Sequence, residues 1–246
     1  MLIRYSTGTH KGKVRDRNED NNIVIDCDSY KVFAVADGMG GMDFGDLASS
    51  IAIDCIKKEL SDCKKQSFNK SEMKKQFIRI FNLINSEIIK ECFEKKSVTG
   101  MGTTLSVCII VEDILYISHM GDSRIYIIRE DKAIQITKDH SYVEELIDSG
   151  RITREQAKSH PNRNIITRAL GLDREIDVDT DTFELIKDDR VVLCTDGLTN
   201  AVEDHEIVEL VIEAAGPEEA VKKLIDKANE RGGRDNITVQ LLLKEV

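Results

Sequence analysis

The sequence predicts an α+β protein in which sheets pack face to face beneath outer layers of helices. Three observations carry that expectation. Short β-branched or apolar runs bounded by polar turns recur along the chain, as strands do. Helical patterns arrive in pairs between groups of strands, which argues against the strict alternation of a parallel, Rossmann-like sheet. No Ser/Gly/Pro-rich linker interrupts the 246 residues, and prolines number only 2. A single domain over residues 1–246 is therefore expected.

Residues 23–25 and 31–36 read as the first strands. A helix around 47–60 carries Leu47, Ile51, Ala52, Cys55, Ile56 and Leu60. A second, over 72–93, repeats Met73, Phe77, Ile80, Phe81, Ile84 and Ile88 at helical spacing, a stripe that reads as core and not as a cofactor box. Residues 103–111, 114–119, 124–128 and 133–137 form a meander with turns at Glu112-Asp113, Gly121-Asp122 and Glu130-Asp131. Ser141-x-x-Glu144 has the pattern of a capping box and opens a short helix that Gly150 closes. Thr153-x-x-Gln156 opens another, which stops before His160-Pro161. A buried-type strand at 190–195, helices at 204–215 and 217–230, and a strand at 237–243 complete the order. Pro217 sits in the first turn of its helix.

Composition narrows the function. A hydrophobic fraction of 41% is ordinary and excludes disorder. The formal net charge of −10 speaks against nucleic-acid binding, which draws on basic patches. It also means that a phosphate-handling site would need cations to intervene. No segment approaches the roughly 20 apolar residues of a membrane span, and the N-terminus lacks the apolar core of a signal peptide. A cytoplasmic protein with no membrane insertion is expected. The 6 cysteines, at 27, 55, 63, 92, 108 and 194, contain no CxxC pair, so buried free thiols are expected in preference to disulfides.

One pattern echoes within the chain. Val32-Phe33-Ala34-Val35-Ala36 runs into Asp37-Gly38, and Val191-Val192-Leu193-Cys194-Thr195 runs into Asp196-Gly197. Each buried strand delivers a carboxylate followed by glycine, which permits close backbone approach. Taken singly, either Asp-Gly reads more simply as a hairpin turn. More acids lie at element edges: Glu19-Asp20, Asp122 in Gly121-Asp122-Ser123-Arg124, and Asp235 in Gly233-Arg234-Asp235-Asn236. If the strand ends converge, the carboxylates repel one another, and divalent cations remove that cost. An all-oxygen set with water favours Mg²⁺ or Mn²⁺ over zinc.

Taken together, these segments resemble the PPM family, the protein phosphatase 2C-like metal-dependent phosphatases, in their compact bacterial type. The matches run through nearly the whole chain: Arg15-x-x-Asn18-Glu19-Asp20, Val35-Ala36-Asp37-Gly38-Met39-Gly40-Gly41, Gly102-Thr103-Thr104, Gly121-Asp122-Ser123-Arg124, Asp139-His140-Ser141, His160-Pro161, Thr195-Asp196-Gly197-Leu198 and Gly233-Arg234-Asp235-Asn236-Ile237-Thr238. The resemblance implies a four-layer α/β/β/α sandwich, two antiparallel sheets between pairs of helices. It implies a protein serine/threonine phosphatase using two Mn²⁺ or Mg²⁺ ions. Asp37 would bridge the catalytic pair, and Asp196 and Asp235 would complete one site. The carbonyl of Gly38 would serve the other, with Asp20 or Glu19 acting directly or through waters. Asp122, shared with Asp196, would hold a third, weaker ion, and Arg15 would grip the substrate phosphate.

The implied reaction is in-line attack on phosphorus by a water that the two cations acidify. No His-Cys-x5-Arg loop of a Cys phosphatase occurs. Met39 departs from the histidine that many eukaryotic members place there to protonate the leaving alcohol, as bacterial relatives also do. His119, His140 and His160 are candidates by type, but structural roles are the simpler reading for each, with metal-bound water as the expected proton source. Residues 141–170 resemble the family's mobile flap. Their Arg151, Arg154, Lys158, Arg163 and Arg168 either steer phosphopeptides or form a solvated face. Phosphorylated proteins and a cognate Ser/Thr kinase are the implied partners of a monomer. A catalytically dead or single-substrate binding protein is the alternative, but a dead member would be expected to lack Asp37, Asp196 or Asp235, and all are present. A nuclease-like hydrolase lacks support, with no basic groove signature or Walker loop.

Overall fold

The computed structural model describes residues 3–40, 44–63, 69–95 and 100–245. One sheet runs in the order β1 (Ile3–His10), β11 (Ile237–Lys244), β10 (Arg190–Cys194), β7 (Arg124–Arg129) and β8 (Lys132–Gln135). The other runs β2 (Asp20–Asp26), β3 (Lys31–Gly40), β5 (Leu105–Val111), β6 (Ile114–Met120) and β9 (Asp179–Glu184), with β4 (Met101–Thr103) beside the far end of β3. All these pairings are antiparallel. Helices α1 (Phe44–Leu60) and α2 (Lys70–Glu94) cover the second sheet, and α6 (Asp204–Ile212) and α7 (Pro217–Glu230) cover the first. The expected four-layer α/β/β/α arrangement is the one observed.

The period of two in the central strands explains why these layers form. Along β3, Val32, Ala34 and Ala36 join the core beneath α1 and α2, while Phe33 and Val35 enter the core between the sheets. Along β10, Val192 and Cys194 face α6 and α7, while Val191 and Leu193 face the other sheet. Strands covered on both sides need apolar residues at every position. The α2 stripe is core as expected: Met73, Phe77, Ile80, Phe81, Ile84 and Ile88 are all buried against the sheet.

Two strands escape the sequence pattern. β1 and β9 are sheet edges, with sequences IRYSTGTH and DTDTFE that alternate poorly and carry many polar residues. An edge with one face in water has no need of an apolar run, and its register comes from the neighbouring strand. Of the two capping boxes, Thr153/Gln156 forms reciprocally at the start of α4 (Arg154–Lys158). At α3 (Tyr142–Asp148) only the Ser141 half forms, because the Glu144 carboxylate is turned to Arg154 at 3.2 Å. Helix α6 stops short of residue 215, whose N–H is taken by the Glu219 side chain at 2.9 Å.

The cysteine expectation is corrected at one pair. Cys27 and Cys63 are joined by a disulfide with Cα atoms 5.8 Å apart. They meet because α1 runs back over the sheet until the Tyr30 hydroxyl donates to Leu60 O at 2.5 Å, a return no sequence spacing reveals. Cys55, Cys92, Cys108 and Cys194 are free. Among the described residues, no helix is long and apolar enough to cross a membrane.

Truncation in the core between the sheets leaves a cavity walled on both sides by strands. Phe33 is fully buried there, edge-on to Tyr5 with ring centroids 5.3 Å apart. Phe33→Ala should destabilise the fold by about 3–5 kcal/mol, whereas Ile78→Ala, on the outer face of α2, should stay within about 0.5 kcal/mol. Urea denaturation compares the two, and equal losses would refute the assignment of the core.

Candidate active site

The chain does not turn at Asp37-Gly38. Strand β3 continues to Gly40, with Asp37 opposite Asp20 of β2 and Gly38 opposite Thr103 of β4. Thr104 is the reason. Its hydroxyl accepts from Asp37 N at 2.9 Å, and its own N–H donates to Asp37 O at 2.9 Å. The strand expected over 103–111 is thus broken at the residue that clamps Asp37. Beyond it, a Cβ on Gly38 would lie 2.1 Å from Gly45 O and 2.7 Å from Glu19 O. Only glycine lets the first turn of α1 close over the end of β3.

Strand β10 delivers Asp196 as the first residue of a one-turn helix, α5 (Asp196–Thr199), so this Asp-Gly is not a hairpin either. One carboxylate oxygen, Oδ2, accepts from Asn200 Nδ2 at 2.9 Å. A Cβ on Gly197 would fall 1.9 Å from Asn236 O, which is how closely the segment before β11 passes. That segment carries Asp235, whose Oδ1 accepts from Asn236 N at 2.9 Å and whose Oδ2 accepts from Arg15 Nη2 at 2.8 Å. Asp122 lies in the turn between β6 and β7, where Ser123 Oγ meets Thr104 Oγ1 at 2.8 Å. Asp20 accepts hydroxyl hydrogens from Thr195 and Thr238 at 2.8 and 2.7 Å.

The ends of both sheets thus converge on a group of aspartates. Asp20 and Asp122 are buried, while Asp37, Asp196 and Asp235 are partly exposed at the mouth. Burial pushes the Asp20 carboxyl up to about 7 against the pull of its two hydroxyls, with the Asp196 and Asp235 charges adding to it. Asp196 is raised to about 6 by burial and by the Asp235 charge, against the pull of the Asn200 amide. Asp37 and Asp122 are raised well above the usual carboxylate range, by burial first and then by the neighbouring aspartates.

The oxygen atoms Asp20 Oδ1, Asp122 Oδ1 and Asp196 Oδ1 are buried without a hydrogen-bond partner. Orphaned carboxylate oxygens in a field of like charge are what a divalent cation relieves. A donor set of oxygens alone suits Mg²⁺ or Mn²⁺. Among the described residues no three such side chains yet close on one point as a finished coordination shell. The fit therefore rests on donor chemistry and unmet bonding.

The remaining expected residues fall into two groups. Glu19 joins the centre through its backbone: its N–H donates to Asn236 Oδ1 at 2.8 Å, and its carbonyl accepts from Ser49 Oγ at 2.6 Å and Gly38 N at 3.2 Å. Arg15 stands at the rim, on Asp235. The histidines are engaged elsewhere. His119 is buried, bonded to Ser106 Oγ at 2.8 Å and Lys138 O at 3.1 Å, and burial pushes it down to about 4. His140 accepts from Gly121 N at 3.1 Å and meets Asp179 at 3.2 Å. His160 accepts from Asn162 N at 3.1 Å.

A cleft of about 350 Å³ leads from Asp122 and Asp196 to Arg154, Lys158 and Arg163 of the 141–170 segment. That segment is pinned at its base by bridges from Ser141 to Ile166 and from Thr103 to Leu170. Sequence reasoning left Thr104 and Asn236 without a role. Asn236 also donates to Lys11 O at 2.9 Å and Arg17 O at 2.8 Å, tying down the loop that holds Arg15. Their places in Gly102-Thr103-Thr104 and Asp235-Asn236 were the only signal.

Two antiparallel sheets covered by pairs of helices are an arrangement that known proteins share. The family profile described as protein phosphatase 2C matches residues 7–235, and the chain belongs to that family. The serine/threonine phosphatase stp of Listeria innocua is 38% identical over 238 residues, covering 95% of this chain and 93% of its own. Stp1 from Staphylococcus aureus superposes with a TM-score of 0.94 at 31% identity, covering 100% of this chain and 96% of that one. The catalytic domain of the phosphatase PstP, solved in complex with 2 manganese ions, gives 0.85 at 32% identity over 99% of each chain.

The raised carboxyls set the sign of a pH effect. They bind protons more tightly folded than unfolded, so the stability they contribute is present below 3.8 and is lost as pH rises through about 6 for Asp196 and about 7 for Asp20. With a chelator present, Asp37→Asn should therefore be more stable than wild type at neutral pH by roughly 0.5–2 kcal/mol, converging with it near pH 4. Urea midpoints across that range provide the check. Parallel curves would show that the charges do not interact.

Proposed function

We propose that this protein serine/threonine phosphatase is metal-dependent and hydrolyses phosphoserine and phosphothreonine with a pair of Mn²⁺ or Mg²⁺ ions. The observation that carries the proposal is the set of buried, partnerless oxygens on Asp20, Asp122 and Asp196. They surround an Asp37 that burial and its acidic neighbours keep from ionising easily. In this reading Asp37 would serve both ions, Asp196 and Asp235 would complete one site, and the Gly38 carbonyl with Asp20 or Glu19 would serve the other. Asp122 and Asp196 would hold a third, weaker ion. The manganese-bound relative supports the choice of metal.

Ions bound there would neutralise phosphoryl charge and supply an acidified water. The chain's own residues do the rest. Arg15 is held by Asp235 at 2.8 Å, within reach of the centre, and its planar fork can take two phosphoryl oxygens. Thr104 and Gly38 keep Asp37 from shifting as charge builds. Among the described residues no histidine is bonded to Asp20, Asp37, Asp122, Asp196 or Asp235, and in this reading the proton for the leaving alcohol comes from water. The peptide lies along the cleft beside the basic residues, of which Arg154 is paired with Glu144 and Lys158 with Glu203. Arg163 has no ion pair among the described residues and offers its charge to an acidic phosphopeptide. The proposal includes a Ser/Thr kinase that makes the phosphoester, and a cytoplasmic setting.

Hydrolysis of a phosphothreonine peptide should stop on chelation, return with Mn²⁺, and fall by at least about 100-fold in Asp37→Asn, a loss beyond that of residues that merely support a ligand. Activity indifferent to chelator would sink the proposal. Neutralising Arg154, Lys158 and Arg163 together should raise KM for the peptide severalfold with kcat unchanged and flatten its salt dependence. An unchanged KM would leave these residues as a solvated face.

A further inference from the structure

Around Asp20 the direction of each proton can be deduced. Asn18 Nδ2 donates to Thr9 Oγ1 at 2.8 Å, and Thr9 donates onward to Thr238 Oγ1 at 2.8 Å, because the one hydroxyl proton of Thr238 goes to Asp20. Thr238 in turn gives its hydroxyl proton to Asp20 Oδ2 at 2.7 Å. A second chain begins at the Thr238 N–H, which donates to Thr195 Oγ1 at 3.0 Å. Thr195 then donates to the same Oδ2 at 2.8 Å. Asn18 Oδ1 accepts from the N–H of Asp20 itself at 3.3 Å, which closes a ring.

Both chains end on one oxygen, with every donor dipole aimed at it. They also cross the seam: Asp20 is on β2, while Thr9, Thr195 and Thr238 belong to β1, the end of β10 and β11 of the other sheet. Thr195 and Thr238 are fully buried. The other oxygen, Asp20 Oδ1, is buried with no partner, and Asp20 stands directly opposite Asp37 in the pairing of β2 with β3. A bridge serving only to join the sheets would have no reason to spend two hydroxyls on one oxygen and strand the other.

We propose that Thr238 and Thr195, with Thr9 and Asn18 behind them, are positioning residues that engage Asp20 Oδ2 and so hold Oδ1 toward Asp37 for a divalent cation or its water. This rests on the metal-dependent reading above. The hydroxyls act through Asp20 and touch no substrate. Thr→Val keeps the shape of the side chain and removes only the hydroxyl, whereas Thr→Ser keeps the hydroxyl and removes a methyl.

The test is calorimetric titration of Mn²⁺ into chelator-stripped, full-length wild type, Thr238→Val, Thr238→Ser and Thr9→Val, with urea denaturation of each in chelator. Thr238→Val should weaken Mn²⁺ binding by about 10–100-fold, as losing the outer partner of a metal ligand does. Thr238→Ser should bind like wild type, and Thr9→Val, at an exposed position, should show a smaller loss in the same direction. Wild-type affinity in Thr238→Val overturns the proposal, and so does a Ser variant as weak as the Val one, because packing would then be the cause. If Thr238→Val does not fold, Thr9→Val decides, and undiminished affinity there overturns the proposal. A wild type that binds no Mn²⁺ removes the metal-dependent reading and this inference with it, which separates the two failures.

Discussion

Repulsion among carboxylates crowded into a poorly solvated seam is the constraint that organises this molecule. Asp20, Asp37, Asp122, Asp196 and Asp235 arrive from both sheets, and the charges of Asp20, Asp122, Asp196 and Asp235 raise the cost of ionising the acids beside them. Left to themselves they would splay apart. What keeps them together is a dense set of backbone and hydroxyl bonds that does not depend on their charge. Thr104 holds Asp37, Asn236 holds Glu19 and the Arg15 loop, and Thr195 and Thr238 hold Asp20. The fold thus spends stability at the site where chemistry needs it.

The four layers make that crowding tolerable. β3 and β10 are buried on both faces, so their positions are set by two cores each. A carboxylate at the end of such a strand cannot drift without disturbing packing on both sides. Glycines following the two aspartates allow α1 and the segment before β11 to close against the strand ends. The same closeness leaves buried carboxylate oxygens without partners, and so the steric fit and the electrostatic demand have a common origin.

Much of this was legible in the sequence. The Met73-to-Ile88 stripe, the strands carrying Asp37 and Asp196, the meander and the last helix pair stand as expected, because continuous apolar burial writes itself into residue type. The family followed from motifs in order, and the profile and relatives agree with it. Less visible were β1 and β9, whose edge positions ask for no apolar pattern. Asp37-Gly38 and Asp196-Gly197 look like hairpin turns because the local signal is the same. Thr104 decides otherwise at Asp37 from another strand, and the one-turn helix closed by Asn200 does so at Asp196.

By itself, the sequence determined the packing of sheets beneath outer helices and the apolar core, since both are properties of side-chain type and spacing, and it offered the acids at the strand ends as candidates. Only the tertiary structure decided which oxygens face one another, that Arg15 sits on Asp235, that the histidines are engaged away from the centre, and that Cys27 meets Cys63. Those facts depend on contacts between residues far apart in the chain. A hydrogen bond spanning 218 positions, as from Thr238 to Asp20, leaves no mark in local pattern. It exists because two independently packed sheets are brought face to face by burial of the apolar surface between them.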